Sequence, residues 1–389
     1  MDSIIPSTEP IANMPLGPDG RVPAAAEYWL ALSRLPGVGR ATFLRILQAF
    51  KSPKDAWERS DTEWNEAEVS RVRLETHAER GKALAWAKGQ VDQLSKSRWS
   101  MVIYGGSGYP ASLASLRYPP PYLFLLGEIP DPPALAIVGS RKVTEYGARV
   151  TRELAEDLAA AGLTIVSGFA RGIDTIAHKA AIAVKGKTIA VWGTGPDEVY
   201  PEENKELVDE VAANGCIITE FPFGLAPDAA NFPVRNRLIA GLSDGVLVAQ
   251  ARRRSGALLT AEHALEQGKE IFAIPGEIGQ ESFVGTHDLL RQGARIVTCA
   301  GDILSVFQMA ATPRLPRGTT SISAPAVPLP PLNEMERRVY DGLGTTACHI
   351  DRLAVSLRLS VGETARVLTF LELKGLVTKQ AGNLIARAR

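Results

Sequence analysis

The chain has 389 residues, of which 45% are hydrophobic and 22% charged, a composition typical of a globular protein with two or three domains. Its 43 Lys and Arg residues balance 43 Asp and Glu residues, which excludes a heavily basic, histone-like protein but not a local basic patch. Its three cysteines, Cys216, Cys299 and Cys348, are too far apart in sequence to indicate a disulfide framework or a zinc site.

The beginning of the sequence has no basic segment followed by an apolar run, so it does not resemble a secretory signal. No stretch approaches the roughly 18 consecutive apolar residues of a membrane span. We therefore expect a cytoplasmic, reduced protein that is not inserted into a membrane. We expect no metal and no cofactor.

Residues 1–23 are rich in proline and polar residues and predict a loose tail. Residues 24–100 show mostly helical periodicity and predict a helical domain. Between two of its helices, residues 35–39 read Leu-Pro-Gly-Val-Gly and resemble the turn of a helix-hairpin-helix, in which glycine amides contact a DNA phosphate. An ordinary turn between two helices also favours glycine, so both interpretations stay open.

Residues 101–311 alternate short apolar runs with helical stretches, which predicts an α/β fold with a doubly wound, mostly parallel sheet. The predicted strands are Ala134–Val138, Leu163–Val166, Thr188–Trp192, Cys216–Thr219, Gly245–Ala249, Glu270–Ile274 and Ala294–Val297. The predicted helices are Glu145–Ala161, Ile173–Val184, Glu202–Ala213, Arg235–Leu242, Leu258–Gln267 and His287–Gln292.

Residues 312–333 contain six prolines and predict a semi-rigid linker. Residues 334–389 return to helical periodicity, with predicted helices at Glu336–Leu343, Ile350–Leu357 and Val361–Lys374, followed by a hairpin formed by residues 375–378 and 382–385. This order predicts a winged helix. Its nine Lys and Arg residues exceed its six Asp and Glu residues, a net charge of +3.

The ends of the predicted strands carry small residues and arginines. Residues 139–141 read Gly-Ser-Arg, and we expect Gly139 to let a ligand approach, Ser140 to cap the next helix and Arg141 to pair with an anion. Residues 166–174 repeat this arrangement with Ser167, Gly168, Arg171 and Gly172. One such loop is best explained as a tight turn, but two loops that each add an arginine favour an anion pocket.

Neither a dinucleotide fingerprint nor a P-loop is present, so we predict neither NAD binding nor ATP hydrolysis. Two later segments add cations. Arg235 and Arg237 flank Asn236 at a predicted helix start, and residues 252–256 read Arg-Arg-Arg-Ser-Gly before another helix. Solvated surface is the simpler interpretation of these arginines. Their number nevertheless fits a polyphosphate backbone, such as single-stranded nucleic acid, better than one small phosphate.

The sequence resembles the bacterial DNA-processing protein A family, called DprA or Smf, through six motifs in order over roughly residues 100–300. These motifs are residues 139–141, residues 167–174, residues 193–195 with Tyr200-Pro201, residues 232–237, residues 255–256 and residues 274–276. The order of the flanking domains also matches one common layout of that family.

The resemblance implies an extended Rossmann-like domain that binds single-stranded DNA and forms a homodimer. We expect binding through backbone phosphates, with little base readout. It implies that the protein protects incoming strands in natural transformation and loads a RecA-type recombinase. The candidate DNA-binding residues are Gly139, Ser140, Arg141, Ser167, Gly168, Arg171, Gly172, Arg235, Asn236, Arg237, Arg252, Arg254, Ser255 and Gly256. The family often has Lys in place of Arg254 and an acid in place of Gln250, which leaves the role of that strand end open.

Three alternatives remain. The winged helix could contact DNA or a protein. The chain could be a nucleotide-binding or phosphoribohydrolase-like enzyme of similar fold, with Glu262 as the relic of its catalytic acid, although most of that enzyme motif is lost here. Asp174 and His178, four residues apart on one helical face, could form an acid/base pair, but a polar contact within the helix is the simpler interpretation.

Overall fold

A nine-stranded sheet lies at the centre of the larger of two units. The computed structural model describes residues 20–67, 77–131, 133–309, 332–343, 348–357, 359–374, 376–380 and 384–387. These residues fall into two compact units, one within Met1–Arg314 and one within Leu315–Arg389. The tail expected at residues 1–23 and the linker expected at residues 312–333 therefore lie almost wholly outside the described residues.

Five helices precede the sheet and cover one end of it. They are α1 (Ala26–Arg34), α2 (Arg40–Ala49), α3 (Pro53–Glu58), α4 (Asp61–Glu66) and α5 (His77–Lys96). The rings of Trp29 in α1 and Phe43 in α2 stack with their centres 5.6 Å apart. Both residues belong to the same hydrophobic cluster as Phe124 and Trp192 of the sheet region. The helices expected as a domain of their own thus share a core with the sheet.

The sheet strands are β1 (Ser100–Ile103), β2 (Tyr122–Gly127), β3 (Ala134–Gly139), β4 (Thr164–Ser167), β5 (Thr188–Val191), β6 (Gly215–Thr219), β7 (Gly245–Gln250), β8 (Glu270–Ala273) and β9 (Arg295–Ile296). They lie in the order β1-β2-β6-β5-β4-β3-β7-β8-β9. β1 and β2 are antiparallel to each other, and β2 is antiparallel to β6; all other neighbours are parallel.

The helices of this region are α6 (Ala111–Ala114), α7 (Glu145–Ala160), α8 (Ile173–Ala183), α9 (Leu207–Ala213), α10 (Asn231–Gly241), α11 (Gly256–Glu266), α12 (Val284–Arg291) and α13 (Ala300–Leu304), with 3-10 turns at Glu202–Asn204 and Glu281–Phe283. They bury both faces of the sheet. Along β3, for example, Leu135 and Ile137 enter one core cluster, whereas Ala136 and Val138 enter the other. This burial explains why the central strands are largely apolar, whereas the edge strand β9, Arg295–Ile296, is exposed.

The predicted doubly wound, mostly parallel sheet is confirmed, and all seven predicted strands are present. β1 and β2 were not predicted, because an antiparallel pair joined without a crossover helix does not follow the βαβ alternation. α10 begins four residues earlier than predicted. Pro233, which is tolerated only in the first turn, marks the true start near Asn231.

The second unit is a winged helix, as predicted. Three helices, α14 (Glu334–Gly342), α15 (Ile350–Leu357) and α16 (Val361–Leu373), share a hydrophobic core with a small sheet. That sheet contains the predicted hairpin, β11 (Val377–Gln380) and β12 (Leu384–Arg387), and one strand that the sequence analysis missed, β10 (Cys348–His349). None of the helices among the described residues combines the length and the apolar composition needed to cross a membrane.

Candidate functional site

A cavity of about 560 Å³ opens at the carboxyl ends of the central strands. After β3 the chain adds β4, β5 and β6 on one side, and it then returns to place β7 on the other side of β3. β3 and β7 therefore form the switch point at which ligands bind in open α/β sheets. Both the loop after β3 and the loop after β7 line the cavity.

The loop after β3 (residues 140–144, the arginine loop) supplies one wall. Ser140 does not cap α7 as predicted, because the helix begins five residues later, at Glu145. Its hydroxyl donates instead to the Lys142 carbonyl at 2.7 Å, and the Lys142 amide donates back to that hydroxyl at 3.1 Å. Thr144 is the residue that caps α7. Ser140 therefore shapes the loop that presents Arg141.

Arg141 is exposed, and its guanidinium lies 5.2 Å from the centre of the Phe232 ring. Phe232 also contacts Tyr200 at 5.5 Å between ring centres. Both aromatic side chains line the cavity and are half-buried. An arginine beside two aromatic rings suits a nucleotide, because bases stack on aromatic faces while cations pair with phosphates.

The loop after β7 (residues 252–256, the open loop) supplies the second wall. Ser255 has the extended backbone of a helix cap, yet its hydroxyl caps nothing, and its Oγ is buried without a hydrogen-bond partner among the described residues. A Cβ at Gly256 would meet no heavy atom within 4 Å. The N-terminus of α11 is therefore open to the cavity, where its dipole favours an anion.

The three arginines of the open loop differ. Arg252 is exposed and lines the cavity. Arg253 pairs with Asp288 at 3.3 Å. Arg254 has a positive φ of 61° and does not line the cavity. Like Arg141, Arg252 has no ion pair with any residue that the structure describes, so both guanidinium groups can pair with an external anion.

The loop after β4 (residues 167–172, the scaffold loop) uses its polar groups internally. The Ser167 hydroxyl donates to the Ile137 carbonyl at 2.6 Å. Arg171 pairs with Glu203 at 2.5 Å on the surface. Gly172 has a φ of 82°, and a Cβ there would lie 2.3 Å from the Ser140 carbonyl oxygen. This loop packs against the arginine loop and holds it in place.

Two buried ionisable side chains, Arg235 and Asp174, contribute to the cavity lining. Arg235 is 3% exposed and donates from Nη1 to the carbonyls of Gly168 and Val191. The Asp174 carboxylate accepts from the Gly168 amide at 3.1 Å and from the Ala170 amide at 3.3 Å. Burial raises the pKa of Asp174 to about 6, although the nearby Arg235 opposes that rise. Burial also lowers the pKa of Arg235 to about 10, so it stays charged at neutral pH.

Arg237, one of the candidate DNA-binding residues, does not line this cavity. It pairs with Glu220 at 2.5 Å and donates to the Tyr118 carbonyl at 3.0 Å. Arg40, which begins α2, pairs with the same carboxylate at 2.9 Å. Glu220 is therefore held between two arginines and links the N-terminal helices to α10.

The structure thus divides the fourteen predicted site residues into two groups. Those that line the cavity are Gly139, Ser140, Arg141, Arg235, Asn236, Arg252, Ser255 and Gly256; those that do not are Ser167, Gly168, Arg171, Gly172, Arg237 and Arg254. Sequence reasoning missed the lining residues Asp174, Tyr200, Phe232 and Thr260 as site residues, although the first three lie in motifs that it had singled out. The role of the fourteen as DNA ligands stays a prediction.

Gly139 lines the cavity through its backbone, and its small size serves packing. A Cβ there would lie 2.6 Å from Ile173 Cγ1 and 2.9 Å from the Gln250 carbonyl oxygen. Asn236 donates from Nδ2 to the Gly256 carbonyl at 3.0 Å and so ties α10 to the start of α11. Both residues fix the relative position of the cavity walls.

The structure offers no acid/base pair at His178. Its Nδ1 lies 2.7 Å from Thr188 Oγ1. Because that hydroxyl already donates to the Ile165 carbonyl, His178 Nδ1 carries a hydrogen and donates it to Thr188. Burial lowers the pKa of His178 to about 3. Glu262, the suggested relic of a catalytic acid, is exposed on α11 and does not line the cavity.

The N-terminal turn at residues 35–39 keeps its glycines exposed. Gly37 has a φ of 82°, and nothing lies within 4 Å of a Cβ placed on Gly39. Two nearby cations are already engaged, since Arg34 lies 5.3 Å from the Trp86 ring and Arg40 pairs with Glu220. A DNA contact by this turn stays a prediction.

Two family models match the chain. Residues 100–308 match "DNA recombination-mediator protein A", and residues 323–383 match "DprA winged helix domain". The chain belongs to the DprA/Smf family. Protein Smf of Synechocystis is 31% identical over 396 residues, which cover 91% of this chain and 97% of that protein.

Other members of the DprA/Smf family are similar over shorter stretches. The DNA processing protein DprA of Streptococcus pneumoniae is 44% identical over 202 residues, or 51% of this chain and 71% of that protein. Its X-ray structure superposes with a TM-score of 0.61 at 35% identity and covers 72% of this chain and 95% of the solved chain. The family predicted from six motifs is confirmed.

Proposed function

We propose that the protein binds single-stranded DNA through its phosphate backbone at the cavity between the arginine loop and the open loop. The observation that carries this proposal is the combination of Arg141 and Arg252, neither of which has an ion pair among the described residues, with the open N-terminus of α11 in one cavity. Each of these features attracts anions, and together they match a chain of phosphates better than one phosphate.

Recognition should depend little on sequence. Arginines and helix amides contact phosphates, which are the same in every nucleotide. The Tyr200 and Phe232 rings offer a stacking surface that any base can use. A single strand can turn its bases towards these rings, whereas a duplex keeps its bases paired. We therefore infer a preference for single strands.

Membership of the DprA/Smf family supports a wider role as a recombination mediator that is not an enzyme. We infer that the protein acts in the cytoplasm as a homodimer, guards incoming strands during natural transformation and loads a RecA-type recombinase onto them. The winged helix would add a contact to DNA or to a protein partner.

The test is a titration of labelled single-stranded and duplex oligonucleotides of mixed sequence, followed by fluorescence anisotropy at low and high salt. We expect tight binding of the single strand that weakens steeply with salt. Equal binding of both forms would contradict the single-strand preference. No binding at low salt would contradict DNA binding and favour a small nucleotide as ligand, with base release from a nucleoside monophosphate as the next assay.

A further inference from the structure

We propose that Gln250 is a positioning residue that holds the arginine loop in its DNA-binding shape. This inference rests on the proposed function, because the loop matters through Arg141. Gln250 is the last residue of β7, is fully buried and does not itself line the cavity. It lies beside the loop that follows the neighbouring strand, β3.

Gln250 contacts both ends of the arginine loop. Its main-chain oxygen accepts a hydrogen bond from the Ser140 amide at 2.8 Å. Its side-chain Oε1 accepts from the Thr144 amide at 3.2 Å and from the Thr144 hydroxyl at 3.1 Å. Arg141 lies between these anchors. One residue therefore sets the span of the loop and the direction in which Arg141 leaves it.

The side-chain contacts require an acceptor. The Thr144 hydroxyl accepts a hydrogen bond from the Gly147 amide at 3.1 Å as the cap of α7, and it donates its own hydrogen bond to Gln250 Oε1. The other half of the Gln250 amide, Nε2, is buried without a hydrogen-bond partner among the described residues. A carboxylate can thus replace the amide, and its charge would lie favourably at the N-terminus of α7. An apolar side chain cannot replace it.

Gly147 leaves room for this contact. A Cβ on Gly147 would lie 2.1 Å from Gln250 Oε1. Alanine is normally favoured over glycine inside a helix, yet here it would push the amide away from Thr144. Gly147→Ala is therefore a second way to break the same anchor without changing Gln250.

The first measurement needs no DNA. Trypsin cuts after Arg141 and Lys142, both exposed in the arginine loop, and cleavage requires local opening. We expect Gln250→Leu and Gly147→Ala to speed cleavage at these two sites roughly tenfold, the effect of losing about one buried hydrogen bond. Gln250→Glu should stay near the wild-type rate. The control is Gln90→Leu, which removes a buried glutamine bonded to the backbone of Phe223.

If Gln250 merely stabilises the fold, Gln250→Leu and Gln90→Leu will lower the melting temperature alike and leave cleavage at Arg141 and Lys142 equally unchanged. That result would overturn the proposal. The cleavage assay contains no DNA, so it tests the role of Gln250 independently of the proposed function. If the wild-type protein failed to bind single strands, the proposed function would be contradicted, but the cleavage rates would still show whether Gln250 anchors the loop.

The second measurement couples Gln250 to Arg141. We expect Gln250→Leu to raise the dissociation constant for single-stranded DNA roughly fivefold, and this effect should vanish in an Arg141→Ala background. Gln250→Glu should restore most of the affinity. An unchanged effect of Gln250→Leu in the Arg141→Ala background would show that Gln250 does not act through the arginine.

Discussion

The scaffold loop and the open loop look alike in sequence but differ in what their polar groups do. Both follow a parallel strand, precede a helix and contain serine, glycine and arginine. In the scaffold loop, the Ser167 hydroxyl and the Arg171 guanidinium are bound within the protein. In the open loop, Ser255 Oγ has no partner among the described residues, and Arg252 faces the cavity.

The same combination of serine, glycine and arginine after a strand therefore has two structural uses. One loop builds the support and the other leaves its groups free for a ligand. Glycine shows the same division, because a Cβ on Gly172 would strike the Ser140 carbonyl, whereas a Cβ on Gly256 would meet nothing. Substitutions in the scaffold loop should therefore lower the stability of the protein, whereas substitutions in the open loop should weaken ligand binding.

The largest expected difference concerns these glycines. Gly172→Ala should lower the free energy of unfolding by roughly 3 kcal/mol, because it combines a positive φ with a backbone clash. Gly256→Ala, its matched control, should change stability by less than about 0.5 kcal/mol. Urea denaturation measures both. Equal losses of stability would end the distinction between the two loops.

The buried carboxylate beneath the scaffold loop predicts a pH effect. Burial raises the pKa of Asp174 to about 6, above the ordinary value of 3.8, so the folded protein holds this proton more tightly than the unfolded chain. The contribution of this group to stability is thus present at low pH and is lost as the pH rises through 6. As the pH falls from 6 to 4, the free energy of unfolding of the wild type should rise by roughly 1–3 kcal/mol relative to that of Asp174→Asn.

Urea denaturation at pH 4.5, 5.5 and 6.5 tests the pH effect. In the folded protein His178 is neutral over this range, because burial lowers its pKa to about 3, whereas in the unfolded chain it takes up a proton near its ordinary pKa of 6.5. The resulting loss of stability at low pH is the same for wild type and for Asp174→Asn and cancels in their difference. Parallel pH dependences of wild type and Asp174→Asn would show that Asp174 is already ionised below pH 5.

The arginines of the two loops should differ in DNA affinity. Arg252→Ala should raise the dissociation constant for single-stranded DNA roughly fivefold, whereas Arg171→Ala should change it less than about twofold, since Glu203 already neutralises Arg171. Anisotropy titration with two unrelated sequences measures both. A larger loss for Arg171→Ala would place the strand along the scaffold loop instead.

The smallest effect is expected from removing the winged helix. Because the two compact units have separate cores, deletion of residues 320–389 should leave the first unit folded, with a stability within about 0.5 kcal/mol of its value in the full chain. Thermal melting of both forms measures this. An insoluble or unfolded truncated protein would show that the winged helix is needed for the first unit to fold.

The sequence was sufficient for the sheet and the family but not for every side chain at the site. Apolar runs that alternate with helices predicted β3 to β9, because buried parallel strands have that pattern. The pattern said nothing of β1 and β2, which join the sheet as an antiparallel edge. Ser140 was misassigned as a cap because the length of the arginine loop was not visible, and Thr144 has the same capping chemistry.

Arg235 and Arg237 show what register adds. Two residues apart on a helix, they point in different directions, so only one could face the cavity. Because α10 starts at Asn231, both arginines lie inside the helix, where residues two apart point in different directions. They were predicted to lie at the helix start, where this difference in direction was not evident. Whether a polar group is free or bound, as for Ser167 against Ser255, depends on partners from distant strands and could not be inferred from local sequence.

Binding of a single strand's backbone in the cavity is tested by the salt dependence of DNA binding in an Arg141→Ala/Arg252→Ala double variant. The control is Arg98→Ala/Arg295→Ala, which removes two exposed arginines that pair with Asp209 and Glu270 away from the cavity lining. We plot the logarithm of the affinity for a single-stranded oligonucleotide against the logarithm of the salt concentration. The slope of this plot should become less steep by about 1.4 for the cavity variant, because two phosphate contacts at about 0.7 each are lost. The control should keep the wild-type slope. Equal slopes for the two variants would contradict the account.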